Sequence, residues 1–383
     1  MSLGGKAAVV LPVLGLVGAS LGFFYNERAE EKYANSLLFA ERAAVASMLK
    51  PFNLAAITQE LQKNAPPELW VERREVLAQL APLQLTTGKY VVILGEKGTG
   101  KSFVTYKFAQ NKPGVVYLWL NSAIKAENVE EKLLEATGFD VEKHPTVNPM
   151  PQLLRLLDMV EEELAPDGFV PMVVVEIERN ADPETVDTVF RALKKMSAVC
   201  RGSVILSEAF AAMSMSSDED RRMELWVPPF TDAETREYLS KANKWRRAQG
   251  KSAFSGAEIE DIITRLGGRP STLHNLMKSS MTPAQFVEER IAKEKSRIDD
   301  LLKYESRYAP VLRLLLQKGP LSRKELIDML DQPFKDIARL AMAEYHVLSY
   351  NSENRTAQFH SRATEQAAKK WAEEEAKKRW FQQ

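Results

Sequence analysis

The chain is nearly without cysteine: among 383 residues Cys200 stands alone. An intramolecular disulfide is impossible, and so is a zinc centre built on several thiolates. Histidine is almost as scarce. His144, His274, His346 and His360 lie far apart without ligand-like spacing, which excludes a metal centre of soft ligands. Charge of one sign is also missing, because Lys+Arg and Asp+Glu both number 52. A formal net charge of zero gives no bulk attraction to nucleic acid or anionic lipid, so such binding would need a local patch. There is no internal repeat. What remains is ordinary: 45% hydrophobic and 27% charged residues, enough apolar material for real cores. Wholesale disorder and collagen-like architecture are excluded, and the length suits two to three domains.

One long uncharged run is present. Residues Ala7–Tyr25 read AAVVLPVLGLVGASLGFFY, nineteen residues with no charge. A helix of that length spans roughly 28 Å, close to the hydrocarbon thickness of a bilayer. Gly18 and Gly22 make a GxxxG spacing suited to close helix approach, and Pro12 falls in the tolerant first turns. An anchor, a cleaved targeting peptide and a buried helix all fit such a run. The lone Lys6 before it and the lack of a clear small-residue cleavage site favour the anchor. Arg28, Lys32 and Arg42 after it give a weak bias for the bulk of the chain on the energised, ATP-containing side. A mitochondrial inner membrane is the expected location.

Beyond the run, residues from Asn26 to about Met48 are rich in Ala, Glu and Arg at helical spacing, predicting a helical stalk. Pro51, Pro66 and Pro67 punctuate a connector. Short apolar runs follow: Tyr90–Leu94, Val115–Leu120, Met172–Ile177, Ser203–Leu206 and Glu224–Val227. Helix-length segments separate them, the pattern of a buried parallel sheet in an α/β fold. After Phe230 the chain becomes helical to about Leu340, then a hairpin-like pair Val347–Tyr350 and Ala357–His360 appears. The last seventeen residues, 367–383, form a charged helix with Trp371 and Trp380.

The strongest motif directly follows the first strand. Gly95-Glu96-Lys97-Gly98-Thr99-Gly100-Lys101-Ser102 fits GxxxxGK[ST] in the order strand, glycine loop, helix. Such a loop turns backbone N–H groups toward a β-phosphate, and the helix N-terminus adds partial positive charge. Lys101 is placed to reach the β- and γ-phosphates of ATP or ADP, and the Ser102 hydroxyl to ligate Mg²⁺. A carboxylate at the tip of a neighbouring strand is also required. The run VVVEIE offers Glu176 for the Mg²⁺ side, with a longer arm than Asp. The following position, where a water-activating acid is expected, is Ile177. Glu178 substitutes for it only if the strand ends in a bulge.

Three further stretches carry a resemblance. Trp70-Val71-Glu72-Arg73-Arg74-Glu75-Val76-Leu77 precedes the first strand, Ser207 closes the run SVIL, and Leu266-Gly267-Gly268-Arg269-Pro270-Ser271-Thr272-Leu273 follows in the helical half. With the glycine loop, this ordered set resembles the STAND class of P-loop ATPases, relatives of AAA+ proteins, over about Leu69 to Thr364. The resemblance implies that Val71 and Pro270 lie against adenine and that Ser207 is a polar sensor; Arg269 either touches phosphate from the lid or is simply exposed at the surface. It departs at Glu208, where this family often has Arg. Arg221 and Arg222 stand where AAA+ relatives carry an inter-subunit arginine, or form a solvated pair beside acidic neighbours.

The expected organisation is a transmembrane anchor over 1–25, a stalk and connector over 26–68 and a P-loop nucleotide-binding domain over 69–230. A helical lid over 231–303, a winged-helix domain over 304–366 and a charged helix over 367–383 complete it. The winged helix follows from helices at Ala309–Gln317, Ser322–Asp331 and Phe334–Glu344 before the hairpin. Its candidate recognition stretch Asp331–Glu344 has Lys335 and Arg339 against Asp331, Asp336 and Glu344, a poor match for DNA. The one basic cluster, Lys241 to Lys251 around Trp245, is a solvated loop or a contact for single strands or lipid headgroups. The expected function is a membrane-anchored, ATP-dependent switch with slow hydrolysis and protein partners or self-association. A non-catalytic nucleotide-binding subunit of a membrane complex is the alternative, and a DNA-handling ATPase fits least.

Overall fold

A computed structural model of the chain describes residues 30–52, 67–80, 89–178, 181–205, 222–351 and 354–381. The expected anchor over residues 7–25, Ser207, Glu208 and Arg221 lie outside them. Among the described residues no helix is long and apolar enough to cross a membrane.

Five parallel strands form the first sheet: β1 Tyr90–Leu94, β2 Val115–Leu120, β3 Met172–Ile177, β4 Arg201–Ile205 and β5 Arg222–Trp226. Their order is β2-β3-β4-β1-β5, so β4 separates the strand that leads into the glycine loop from the strand that carries Glu176. The register sets Leu94 beside Trp226 and Glu176 beside Ile205. Helices cover both faces, which is why YVVIL is buried along its whole length. Alternation along β3 decides the site. Val173, Val175 and Ile177 point into one core with Leu133, Leu157 and Val186. Met172 and Val174 point into the opposite core with Val104 and Ala109 of the helix Lys101–Ala109. Glu176 shares the second face by the period of two, so its carboxylate meets the helix that follows the glycine loop.

Residues 30–48 form a helix that serves as a buttress to the α/β domain instead of a free stalk. Ala44, Val45 and Met48 join the sheet core, and buried Glu41 accepts from Gln152 at 2.8 Å and pairs with Arg155 at 3.2 Å. The spacing 41, 44, 45, 48 puts these side chains on one helical stripe, which burial against the sheet stabilises more than helix propensity alone.

The second half folds as one body. Helices Asp232–Ala248, Gly256–Leu266, Pro270–Lys278 and Pro283–Tyr304 lead into Tyr308–Lys318, Arg323–Leu330 and Phe334–Ile337, the last continuing as a π-helix over Ala338–Glu344. Strands β6 Leu321–Ser322, β7 Leu348–Asn351 and β8 Thr356–Phe359 make an antiparallel sheet in the order β6-β8-β7. One apolar core runs from Tyr238 and Leu273 through Ile298 to Leu348 and Trp371, so the two expected domains over 231–303 and 304–366 share their interior. The final helix begins at Arg362, five residues before the expected boundary at 367. Its Ala363, Ala367, Ala368 and Trp371 are buried in that same core. Four of these helices open with complete capping boxes, at Thr231, Ser255, Thr282 and Ser322, fixing where the chain turns into each.

Candidate functional site at the glycine loop

The loop leaves β1 at Gly95 and closes on itself before the helix starts at Lys101. Gly98 has φ 81°, the left-handed region that favours glycine, and a Cβ there would lie 1.9 Å from Ser271 Oγ. At Gly95 a Cβ would meet the Val227 carbonyl oxygen at 2.5 Å. Thr99 Oγ1 donates to the Glu96 carbonyl at 3.0 Å, and Lys101 Nζ donates to the carbonyls of Gly95 and Glu96, each at 2.8 Å. No side chain caps the helix that begins at Lys101, and the partial positive charge of its N-terminus faces the loop, which suits an anion.

Opposite the loop, Glu176 is half-buried, and Ser102 Oγ donates to its Oε1. A hydroxyl and a carboxylate oxygen in contact are the hard donor pair that suits Mg²⁺ beside a nucleotide phosphate. Oε2 of Glu176 accepts from Tyr106 at 2.8 Å and also from Tyr117. Burial and the adjacent Glu176 push the Tyr117 phenol far above its ordinary value, so it stays a neutral donor. Among the described residues no group of three or more His, Cys, Asp or Glu gathers as a metal site. A cation here would need phosphate oxygens and water to complete its shell.

Pro270 opens the helix Pro270–Lys278, with its Cγ 4.0 Å from where a Cβ on Gly100 would stand. One turn later, on the same face, both ring nitrogens of His274 are buried without a hydrogen-bond partner. Val71 is brought to the same side but is buried in the core of the helical half, with Leu239 and Leu273.

The helical half grips the loop at three points. Ser271 N–H donates to the Gly98 carbonyl at 3.1 Å. Arg73 spans the junction, donating to the Thr99 carbonyl at 3.2 Å and the Pro228 carbonyl at 2.7 Å, with Glu234 at 3.4 Å. The third is a buried ion pair between Glu96 and Arg269, whose side chains are 2% and 5% exposed. Arg269 also donates to the His360 carbonyl, and its Nη1 lies 3.0 Å from His360 Nδ1. Burial pushes the Glu96 carboxyl up, opposed by Arg269, the Ser349 hydroxyl and Lys101. Burial together with Arg269 and other nearby cations holds His360 well below the usual histidine range, in its neutral form. A cavity of about 450 Å³ adjoins this cluster, lined among others by Phe230, Gly268, Arg269, Phe359, His360 and Arg362.

The contact at Gly98 yields a first expected result. Gly98→Ala strains the backbone at φ 81° and drives a methyl into Ser271. The helical half should then separate from the loop, seen as faster proteolysis near Pro228–Phe230 than in the wild type. Unchanged cleavage would show that the contact is dispensable.

The expected site residues divide accordingly. Gly95, Glu96, Lys97, Gly98, Thr99, Gly100, Lys101 and Ser102 form one loop, with Glu176 and Pro270 against it. Glu178 turns elsewhere: its Oε2 accepts from the Ser122 N–H at 2.9 Å, capping the end of β2. β3 ends at Ile177 without a bulge, and Ile177 is buried in the core. Arg269 meets Glu96 and His360 instead of standing free for a phosphate. The basic cluster is partly absorbed as well, with Lys244, Arg247 and Lys251 left exposed. Lys241 donates to the Trp70 carbonyl at 2.6 Å, Arg246 stacks over Phe254 and Lys251 over Trp245. Arg222 pairs with Glu224 on its own strand. Tyr106, Tyr117, Ser349 and His360 were not marked by any motif.

Strand order, loop and acidic strand together define a parallel α/β P-loop NTPase fold. No protein-family model matches the chain, and no curated protein matches it. Among solved structures it is similar to a STAND protein with a tetratricopeptide repeat sensor from Pyrococcus horikoshii, at 14% identity and TM-score 0.37. That likeness covers 77% of this chain and 42% of the archaeal protein, so the chain spans less than half its length. It is also similar to Drosophila ORC bound to DNA, at 14% identity and TM-score 0.37, covering 79% and 94% of the two chains. The Thermotoga maritima RuvB Holliday junction branch migration motor is similar at 10% identity and TM-score 0.34, covering 76% and 92%.

Proposed function

We propose that the chain binds ATP or ADP with Mg²⁺ at Gly95–Ser102 and acts as a STAND-like conformational switch that turns over slowly. One observation carries the reading: the loop is bonded directly to the helical half through Glu96–Arg269 and Gly98–Ser271. Because lid and C-terminal region share a core, a change in loop geometry is transmitted to them as one body. The ATP supplies the phosphate charge that competes for Lys101. The chain's own residues then do the rest: the loop amides bind, Ser102 and Glu176 orient, and Pro270 closes the side.

Slow turnover follows from the strand end. Ile177 has no group to orient a water, and Glu178 is committed to the Ser122 amide. The expected steady-state rate is well below ~0.1 s⁻¹, against ordinary turnovers of about 1–10³ s⁻¹. A rate above ~1 s⁻¹ that collapses in Glu178→Gln would contradict this. The same two residues favour the second reading, a non-catalytic nucleotide-binding subunit, which predicts bound ATP and no turnover at all.

The remaining proposals concern partners and place. The antiparallel sheet β6-β8-β7 with its helices suits a winged helix that packs within this chain. With Asp331, Asp336 and Glu344 along its recognition stretch, DNA is an unfavourable partner, and protein partners or self-association suit it better. Residues 7–25 are proposed as a single-pass anchor in an energised membrane such as the mitochondrial inner membrane. Alkaline carbonate should leave the full chain in the membrane pellet, whereas its release would refute the anchor.

A further inference from the structure

Glu176 presents a problem that its surroundings solve. A glutamate has one more side-chain torsion than an aspartate, so holding its carboxylate at one point costs more conformational entropy. Its neighbours on the sheet face supply two phenols. Tyr106 comes from the helix after the glycine loop and Tyr117 from β2, the strand paired with β3. Their rings meet edge to face with centroids 5.3 Å apart, and their hydroxyls are 2.6 Å apart. Both hydroxyls contact the same carboxylate oxygen, Oε2, whereas Ser102 takes Oε1. Tyr106 is 5% exposed, and Phe52 packs against the Tyr117 ring at 6.4 Å, so neither phenol is free to swing away. The arrangement divides the carboxylate into a fixed oxygen and a working one.

We infer that Tyr106 and Tyr117 are positioning residues for Glu176, clamping Oε2 so that Oε1 stays directed at Ser102 and the divalent cation of a bound nucleotide. The inference rests on the reading of Gly95–Ser102 as a nucleotide site. Both phenols act on Oε2 of Glu176, on the cation side of the site, so nucleotide affinity without metal is expected to change little when they are lost. Metal dependence does, because hydrogen-bond partners behind a metal site are commonly worth 10–100-fold in metal affinity.

The test uses the full chain and two conservative variants, Tyr117→Phe and Tyr106→Phe, which keep the rings and their packing. ATP affinity is measured in EDTA and across a Mg²⁺ titration, with Glu176→Gln alongside. The expected result is unchanged affinity in EDTA and a Mg²⁺ midpoint raised about tenfold in Tyr117→Phe, approaching that of Glu176→Gln when Tyr106→Phe is combined with it. Should one variant fail to fold, the other carries the same comparison. Midpoints equal to wild type in both tyrosine variants, with Glu176→Gln shifted, would overturn the inference alone. A wild-type chain that binds no ATP in either condition would overturn it together with the nucleotide reading.

Discussion

Replacing Arg269 by Ala should weaken the docking of the helical half on the loop by about 3–5 kcal/mol, the usual consequence of stranding one partner of a buried ion pair. The regime is set by burial: Glu96 and Arg269 are 2% and 5% exposed, whereas a surface pair would be worth less than about 1 kcal/mol. Ser349 and Lys101 remain near Glu96 but do not replace a guanidinium that also holds the His360 carbonyl. The complementary change separates charge from packing. Glu96→Leu with Arg269→Leu removes both charges, and buried pairs replaced by apolar residues are often neutral or stabilised. Amide hydrogen exchange over the junction at Pro228–Phe230 reads the effect. The single variant should open strongly and the double one should stay near wild type. Equal opening in both would show that shape, not charge, holds the junction.

Lys101→Ala should weaken ATP binding at least tenfold, or about 1.4 kcal/mol. The ammonium lies within the loop, bonded to the Gly95 and Glu96 carbonyls at 2.8 Å. A phosphate must compete with those carbonyls, so the loss is smaller than the bare attraction between two charges would suggest. Alanine is tolerated by the helix that starts there, and the loop backbone keeps its glycines. Lys101 also helps hold Glu96 ionised, so its removal should loosen the Arg269 contact as well. The two variants are therefore expected to be non-additive.

How much of this was legible in the sequence depended on how local each signal is. The glycine loop spans eight consecutive residues after an apolar strand, and the chain folds it as read. Glu176 follows from the period of two along VVVEIE, which also sends Ile177 into the core. The junction was not legible. Glu96 and Arg269 are separated by 173 positions, and nothing in GEKGTGKS signals that its glutamate is buried. Tyr106 and Tyr117 lie 70 and 59 positions from Glu176, and tyrosines on a helix and an edge strand read as core. Arg269 in the GGRP stretch reads as a phosphate contact or a surface residue, because its buried partner Glu96 is fixed by packing, not spacing. The helix over 30–48 carried a stripe at 41, 44, 45 and 48 that suits burial, but its charge-rich remainder reads as a stalk.

The central claim is that Gly95–Ser102 holds a nucleotide with Lys101 on its phosphates. Equilibrium titration of the full chain with ATP and Mg²⁺, wild type beside Lys101→Ala, tests it most directly. The account predicts saturable binding by the wild type and at least tenfold weaker binding by the variant. Equal affinity in the two proteins, or none in the wild type, would contradict it.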